Sequence, residues 1–377
     1  MVRRAAGHSG DGDGMKWSSK PVIVVGHGVR ASGADITPLL SLGVPILSSW
    51  QAMDLIDNFH PIYFGRPGIF GQRTANKILY EADQIVAIGN RMTPWQIGHA
   101  GLRPEQELIM VDVDGAEAAR FPQATWINED AKDFIPTMLG AECPEWLRQC
   151  NEWRDKYPWI EYPTHNDGRG FMNSYRIMSV IERHLPLDAV ITVDIGSHMC
   201  SLFQGLHVKP PQRVICGGGL GEMGCALPYA IGASFARGKG EVLCLVGDGG
   251  LMLNLQELQT MVHHKLPIKI IVFENDGYAM IKGTHKNMNK PYTGVTKASG
   301  ISMPDFCDLA AAMKINTCTA SNWELFQQRI KLLFQVQGPF LMVVHLDPEQ
   351  IYMPRLQPTF VDGKIIPPKF SDLSPIL

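Results

Sequence analysis

Two apolar runs in the second half of the chain each end in residues able to bind a cation. Leu243–Val246 leads into Gly247-Asp248-Gly249-Gly250, and Ile268–Phe273 leads into Glu274-Asn275-Asp276-Gly277. Asp248 offers a carboxylate oxygen, Asn275 an amide oxygen and Gly277 a main-chain carbonyl. Hard oxygen ligands around a cation that keeps room for diphosphate oxygens describe a Mg²⁺ or Ca²⁺ site. Gly249 and Gly250 place bare backbone N–H groups at the start of the next helix, where a phosphate is welcome. Gly-Asp-Gly alone makes turns in many proteins. The reading rests on its position between two strands, with 25 residues between Gly249 and Asn275.

Such groups must be carried by parallel strands. From Lys20 to about Leu139, short apolar runs end in glycine or an acid and pass into helix-like segments: Val22–Val25 into Gly26-His27-Gly28, Gln84–Ile88 into Gly89, Glu107–Val113 into Asp114. This is the βαβ rhythm of a sheet covered on both faces. The rhythm returns with a helix over Tyr175–His184 and strands at Ala189–Val193, Glu241–Val246, Ile268–Phe273 and Phe340–His345; the stretch with Leu251, Leu255, Leu258, Met261 and Val262 reads as one amphipathic helix. The expected architecture is α/β, two doubly wound parallel-sheet domains over 20–140 and 173–350, with ligands at the carboxyl ends of the strands. Residues 1–19, Gly-rich and polar, read as a flexible leader without the apolar segment of a secretory signal. Residues 141–172 read as a linker packed on its neighbours, because Glu142–Arg169 mixes four prolines or glycines with Trp146, Trp153 and Trp159. Residues 351–377 read as a Pro-rich tail that cannot be regular helix.

Composition narrows the classes further. The chain has 377 residues, 45% hydrophobic and 19% charged, with a net charge of −3. It can build sizeable cores, and its balance excludes a generally basic nucleic-acid binder. No apolar run approaches the roughly 20 residues of a membrane-spanning helix. Eight cysteines without a CxxC pair imply reduced, buried thiols in a cytoplasmic protein.

Around the strand ends the chain resembles the thiamine diphosphate (ThDP) enzymes, whose fingerprint is GDG, a spacer and Asn. Gly217-Gly218-Gly219-Leu220-Gly221-Glu222-Met223-Gly224, followed by Leu227-Pro228-Tyr229-Ala230-Ile231-Gly232-Ala233, is similar to the GGLGxMGxxLPxAIGA block of the acetohydroxyacid (acetolactate) synthase branch. That resemblance implies that the backbone near Gly221 and Met223 binds the aminopyrimidine, with the Met223 side chain bending the cofactor. Asp194-Ile195-Gly196-Ser197-His198 resembles a DxGQH strand end that touches the diphosphate, with Ser where the branch has Gln; Ser197 and His198 are the implied contacts. The first unit resembles the central domain of the family through Gly26-His27-Gly28, Gly65-Arg66-Pro67-Gly68 and Ile88-Gly89-Asn90-Arg91. In the acetolactate synthase branch that domain holds FAD, used structurally, which would lie near Gly26, Gly28, Gly65 and Arg91; the sequence is also compatible with an empty or ADP-binding domain.

The resemblance covers about residues 20–350 and implies a ThDP- and Mg²⁺-binding portion of an enzyme that decarboxylates an α-keto acid such as pyruvate and passes the acyl carbanion to a carbonyl acceptor. Ile281 stands where the pyruvate decarboxylase branch has Glu, which favours carboligation or acyl transfer. The family's N-terminal pyrimidine-binding domain, with its activating Glu, is not matched. The expectation is therefore a homo-oligomer or a partner subunit carrying that domain, and negligible activity without it. Two alternatives stand beside this: a non-catalytic paralogue that binds cofactor or associates with the full-length enzyme, and an NAD(P) oxidoreductase, disfavoured by the incomplete GxGxxG.

Overall fold

The structure, a computed structural model, describes residues 3–4, 15–161, 170–361, 364–366, 368 and 373–374. The chain divides into two compact units, Met1–Glu161 together with Met353–Leu377, and Tyr162–Tyr352.

The first unit is built on a parallel sheet of six strands: β1 (Arg3–Arg4), β2 (Pro21–Val25), β3 (Ile46–Ser48), β4 (Gln84–Ile88), β5 (Glu107–Val111) and β6 (Thr125–Ile127), in the order β1-β6-β5-β4-β2-β3. Successive residues of β2 face opposite layers: Val22 and Val24 enter one apolar core, Ile23 and Val25 the other. Burial on both faces explains the unbroken apolar run. The chain reverses direction across the sheet between β2 and β4, and there Gly26 N–H donates to the Ile88 carbonyl at 2.9 Å and Gly28 N–H to the Gly89 carbonyl at 3.0 Å. A Cβ on Gly26 would lie 2.0 Å from the Gly89 oxygen. Gly26→Ala should therefore destabilise this unit by about 3 kcal/mol, the upper range for overpacking against rigid neighbours; a lowered urea midpoint checks it, and an unchanged one contradicts it.

The expected linker contains a helix, Pro144–Lys156. Pro144 occupies its first turn, where the missing N–H costs nothing, Glu145 sits near the start and Arg154 and Lys156 near the end, all favourable to a helix. Trp146 and Cys150 are buried in the first unit's core and Trp153 packs against it, while Trp146 Nε1 donates to the Pro21 carbonyl at 2.9 Å. Proline read as a breaker here is a helix starter. Residues 162–169 of that linker lie outside the described residues.

Both ends of the chain attach to this unit as well. Of the expected leader, residues 1–2 and 5–14 lie outside the described residues, but β1 pairs with β6, Trp17 Nε1 donates to the Leu139 carbonyl at 2.8 Å, and Ser19 Oγ donates to Asp83 Oδ2 at 2.8 Å. In the Pro-rich tail, Leu356 and Leu373 are buried in the core, and Leu356 N–H donates to the Ile69 carbonyl.

The second unit has a parallel sheet of β7 (Val190–Val193), β8 (Arg213–Cys216), β9 (Val242–Gly247), β10 (Ile268–Glu274), β11 (Asn316–Ala320) and β12 (Phe340–His345), ordered β11-β12-β10-β9-β7-β8. Val242, Cys244 and Val246 of β9 share one core with Ile268, Ile270 and Val272 of β10. Direction reverses between β7 and β9, so the carboxyl ends of these strands and of neighbouring β10 border the crevice where an open α/β sheet binds ligands. All eight cysteines are free thiols and six are buried. Among the described residues no helix is long and apolar enough to cross a membrane.

Candidate cation and diphosphate site

Asp248 begins the four-residue helix Asp248–Leu251 directly after β9, and Asn275 follows β10. The register sets Phe273 opposite Gly247, which brings the two strand ends level. Asp248 is buried. Its Oδ2 accepts the N–H groups of Asn275 at 3.1 Å and Gly277 at 3.0 Å, and its Oδ1 accepts that of Gly249 at 2.7 Å. The carboxylate thus ties the two strand ends together before any cation is considered.

Asn275 supplies the observation that tests the cation reading. Its Nδ2 donates to Ser197 Oγ at 3.1 Å, which fixes the amide, while its Oδ1 is buried without a hydrogen-bond partner. A buried, orphaned acceptor is costly and calls for a ligand. One carboxylate, one amide oxygen and the Gly277 carbonyl form the hard-oxygen donor set that Mg²⁺ takes when it keeps further positions for phosphate and water. The residues fit the cation. They contain only one acid, in keeping with the absence of any group of three or more His, Cys, Asp or Glu among the described residues.

Packing also explains the glycines. A Cβ on Gly249 would lie 2.3 Å from the Tyr278 ring, and one on Gly250 would lie 2.0 Å from Asp194 Oδ2. The Gly249 N–H, expected to be bare for phosphate, is turned to Asp248. Gly277 has φ +129°, and a Cβ there would lie 2.2 Å from the Val295 carbonyl.

Ser197 and His198 both sit in the first turn of the helix Ser197–Gly205, behind β7. Ser197 meets the site through Asn275. The His198 ring stacks on Phe273 with centroids 5.3 Å apart, and burial pushes its pKa down to about 3, so it is neutral. Its Nε2 is a second buried atom without a partner.

The glycine-rich loop after β8 carries Gly221, at φ +75° with open space around it, and the half-buried Met223. Asp194, quoted above only as part of a strand end, anchors this loop: Oδ2 accepts Gly224 N–H at 2.9 Å and Oδ1 accepts Cys225 N–H at 3.1 Å. An acid at a strand end, four residues before the buried His198, was the available signal. The expected single amphipathic helix after Asp248 is two, Asp248–Leu251 and Glu257–His263. The break lets Asn254 reach back and donate from Nδ2 to the Gly224 carbonyl at 2.7 Å.

Gly26 and Gly28 use their amides on the β4 turn, as described, and the exposed Arg91 pairs with Glu117 at 3.1 Å.

Burial pushes the Asp248 carboxyl up to about 6, against the pull of the Gly277, Gly249 and Asn275 amides. The cation-free fold therefore holds this proton more tightly than the unfolded chain does. The resulting stabilisation is present below about pH 4 and lost as pH rises through 6. A cation must displace the proton. Mg²⁺ affinity should be flat above about pH 7 and fall about tenfold per unit below 6, as one coupled proton requires; pH-dependent calorimetry checks this, and a flat profile down to pH 5 contradicts it.

Two family models match the chain. Residues 194–344 match the thiamine pyrophosphate enzyme C-terminal TPP-binding domain, and residues 14–138 match the thiamine pyrophosphate enzyme central domain. The chain is similar to the acetolactate synthase isozyme 1 large subunit of Escherichia coli K12, at 29% identity over 357 residues, covering 93% of this chain and 62% of that protein. Isozyme 2 of the same organism is 27% identical over 90% of this chain and 62% of its own length. A probable acetolactate synthase large subunit of Methanocaldococcus jannaschii is 27% identical over 95% of this chain and 64% of its own. The chain thus spans just under two thirds of the length of these curated relatives.

Proposed function

The chain belongs to the thiamine pyrophosphate enzymes, carrying their central and C-terminal domains and homologous to acetolactate synthase large subunits, and from that premise we propose that it holds ThDP through Mg²⁺ and forms the diphosphate half of an enzyme that decarboxylates an α-keto acid and joins the acyl group to a carbonyl acceptor. The observation that carries the proposal is the buried, unpartnered Oδ1 of Asn275, a residue whose N–H, like that of Gly277, donates to Asp248.

In this reading Asp248, Asn275 and Gly277 would hold the cation, leaving it positions for the oxygens of a diphosphate. Ser197 fixes the Asn275 amide so that its oxygen faces the cation. The neutral His198 offers Nε2 without placing a charge in the site, and Met223 supplies apolar bulk at the edge of the glycine-rich loop. Bound ThDP would supply the electron sink for decarboxylation. Ile281, on the helix Ala279–Asn287, puts no acid there, which favours carboligation over aldehyde release. The pyrimidine side of the site would be completed by a pyrimidine-binding domain with its activating Glu, on a partner subunit or in a longer protein; coverage of 62% of the E. coli relatives supports this.

The test is calorimetry of the 377-residue chain with Mg²⁺ and ThDP, followed by an acetolactate assay on pyruvate with and without a separately expressed pyrimidine-binding domain. Cofactor binding with turnover only in the mixture is the expected result. Binding without turnover in any combination would favour the non-catalytic reading, and no binding would overturn the proposal. FAD in the first unit, near Gly26, Gly28 and Arg91, is a separate part of the reading: a purified protein that is yellow or takes up FAD would support it, and a colourless protein that ignores FAD at high concentration would refute that part alone.

A further inference from the structure

The glycine-rich loop and the Asp248 turn come from different parts of the second unit, yet one residue joins them. Gly224 has φ +85°, and a Cβ there would lie 2.6 Å from Leu253 Cβ, so only glycine lets the backbone come this close. Its N–H donates to Asp194 Oδ2 at 2.9 Å, and its carbonyl accepts from Asn254 Nδ2 at 2.7 Å. The Gly224 backbone is held from both sides, its N–H by Asp194 and its carbonyl by Asn254. Asp194 is fully buried after β7, and its carboxylate also accepts the Cys225 N–H at 3.1 Å, directly before the helix Ala226–Ala236. An anion at that end is favoured by the helix dipole. Asn254 belongs to the turn that leaves Asp248–Leu251. Asp194 Oδ2 also borders Gly250, which admits no side chain.

We infer that Asp194 and Asn254 are positioning residues that clamp the Gly224 backbone and so keep the loop bearing Gly221 and Met223 in register with the Asp248 turn. The inference rests on the cofactor reading above for its ligand, but the clamp itself is a property of the ligand-free chain. Neither residue is assigned to the cation. Loosening the clamp should weaken recognition of the thiamine part of ThDP while sparing recognition of its diphosphate.

The experiment uses the full chain, wild type, Asn254→Ala and Asp194→Asn. Calorimetry compares Mg²⁺ with ThDP against Mg²⁺ with inorganic pyrophosphate, and hydrogen exchange is followed without ligand. In each variant the preference for ThDP over pyrophosphate should fall about tenfold, in line with loss of one strong hydrogen bond, while pyrophosphate affinity holds. Amides of 217–225 should exchange at least about tenfold faster, with β7, β9 and β10 unchanged. Asn254→Ala removes one half-buried side chain at a turn, so it carries the test even where Asp194→Asn does not fold. An unchanged preference, or equal weakening of both ligands, overturns the inference. If the wild type binds neither ligand the cofactor reading fails, and the clamp is then judged by exchange alone: unchanged rates at 217–225 in Asn254→Ala overturn it.

Discussion

Replacing Asp248 by Ala should weaken Mg²⁺-dependent ThDP binding at least about 100-fold while leaving the fold intact. The size follows from what the side chain does. It is the one acid of the donor set, and its loss leaves the charge of the cation and the diphosphate without its protein counterpart; truncating one partner of a buried charge pair costs about 2–5 kcal/mol or more. The same change strands the amides of Asn275, Gly277 and Gly249, which donate to it. Against that stands relief from burying a carboxyl pushed up to about 6. The two effects oppose, so the cation-free protein should lose no more than about 2 kcal/mol, the cost of an unmet buried donor. Calorimetry beside a urea melt separates affinity from stability. Affinity within about threefold of wild type would remove Asp248 from the site, on the scale where a factor of ten is 1.4 kcal/mol.

A methyl group on Gly277 should damage both stability and binding. The new Cβ would meet the Val295 carbonyl at 2.2 Å and Ile301 Cδ1 at 3.0 Å, at a φ of +129° that side chains resist. The Val295 carbonyl cannot simply retreat, because it accepts the Tyr278 N–H at 3.0 Å. Overpacking and backbone strain each cost about 1–3 kcal/mol, so Gly277→Ala should lose about 3 kcal/mol in a urea melt. Moving this peptide also shifts the carbonyl offered to the cation and the N–H that orients Asp248. Mg²⁺ affinity should drop about tenfold, as one misplaced ligand in a site that demands near-octahedral geometry implies. Wild-type values in both measurements would show that the loop adapts and that the carbonyl is not a ligand.

The sequence alone determined the centre of each sheet and the strand ends that carry Asp248 and Asn275. β2, β4 and β5 of the first sheet and β7, β9, β10 and β12 of the second are interior strands, buried on both faces, and their unbroken apolar runs are readable without a partner in view. The strands left unread were β1, β3, β6, β8 and β11, at or next to the sheet edges, where β11 alternates exposed and buried residues and β6 is only half-buried. The helix Pro144–Lys156 was hidden because its apolar stripe of Trp146, Cys150 and Trp153 has meaning only against the core it covers. Tertiary structure alone decided what each site residue does. The resemblance to a DxGQH strand end implied Ser197, but only the fold shows it fixing the Asn275 amide; Gly26, Gly28, Gly249 and Gly250 carried the same letter for different neighbours, a backbone turn in one unit and Tyr278 or Asp194 in the other. The reason is physical: periodicity of burial is written locally along the chain, whereas an orphaned amide oxygen or a clash at 2.0 Å exists only between segments that folding brings together.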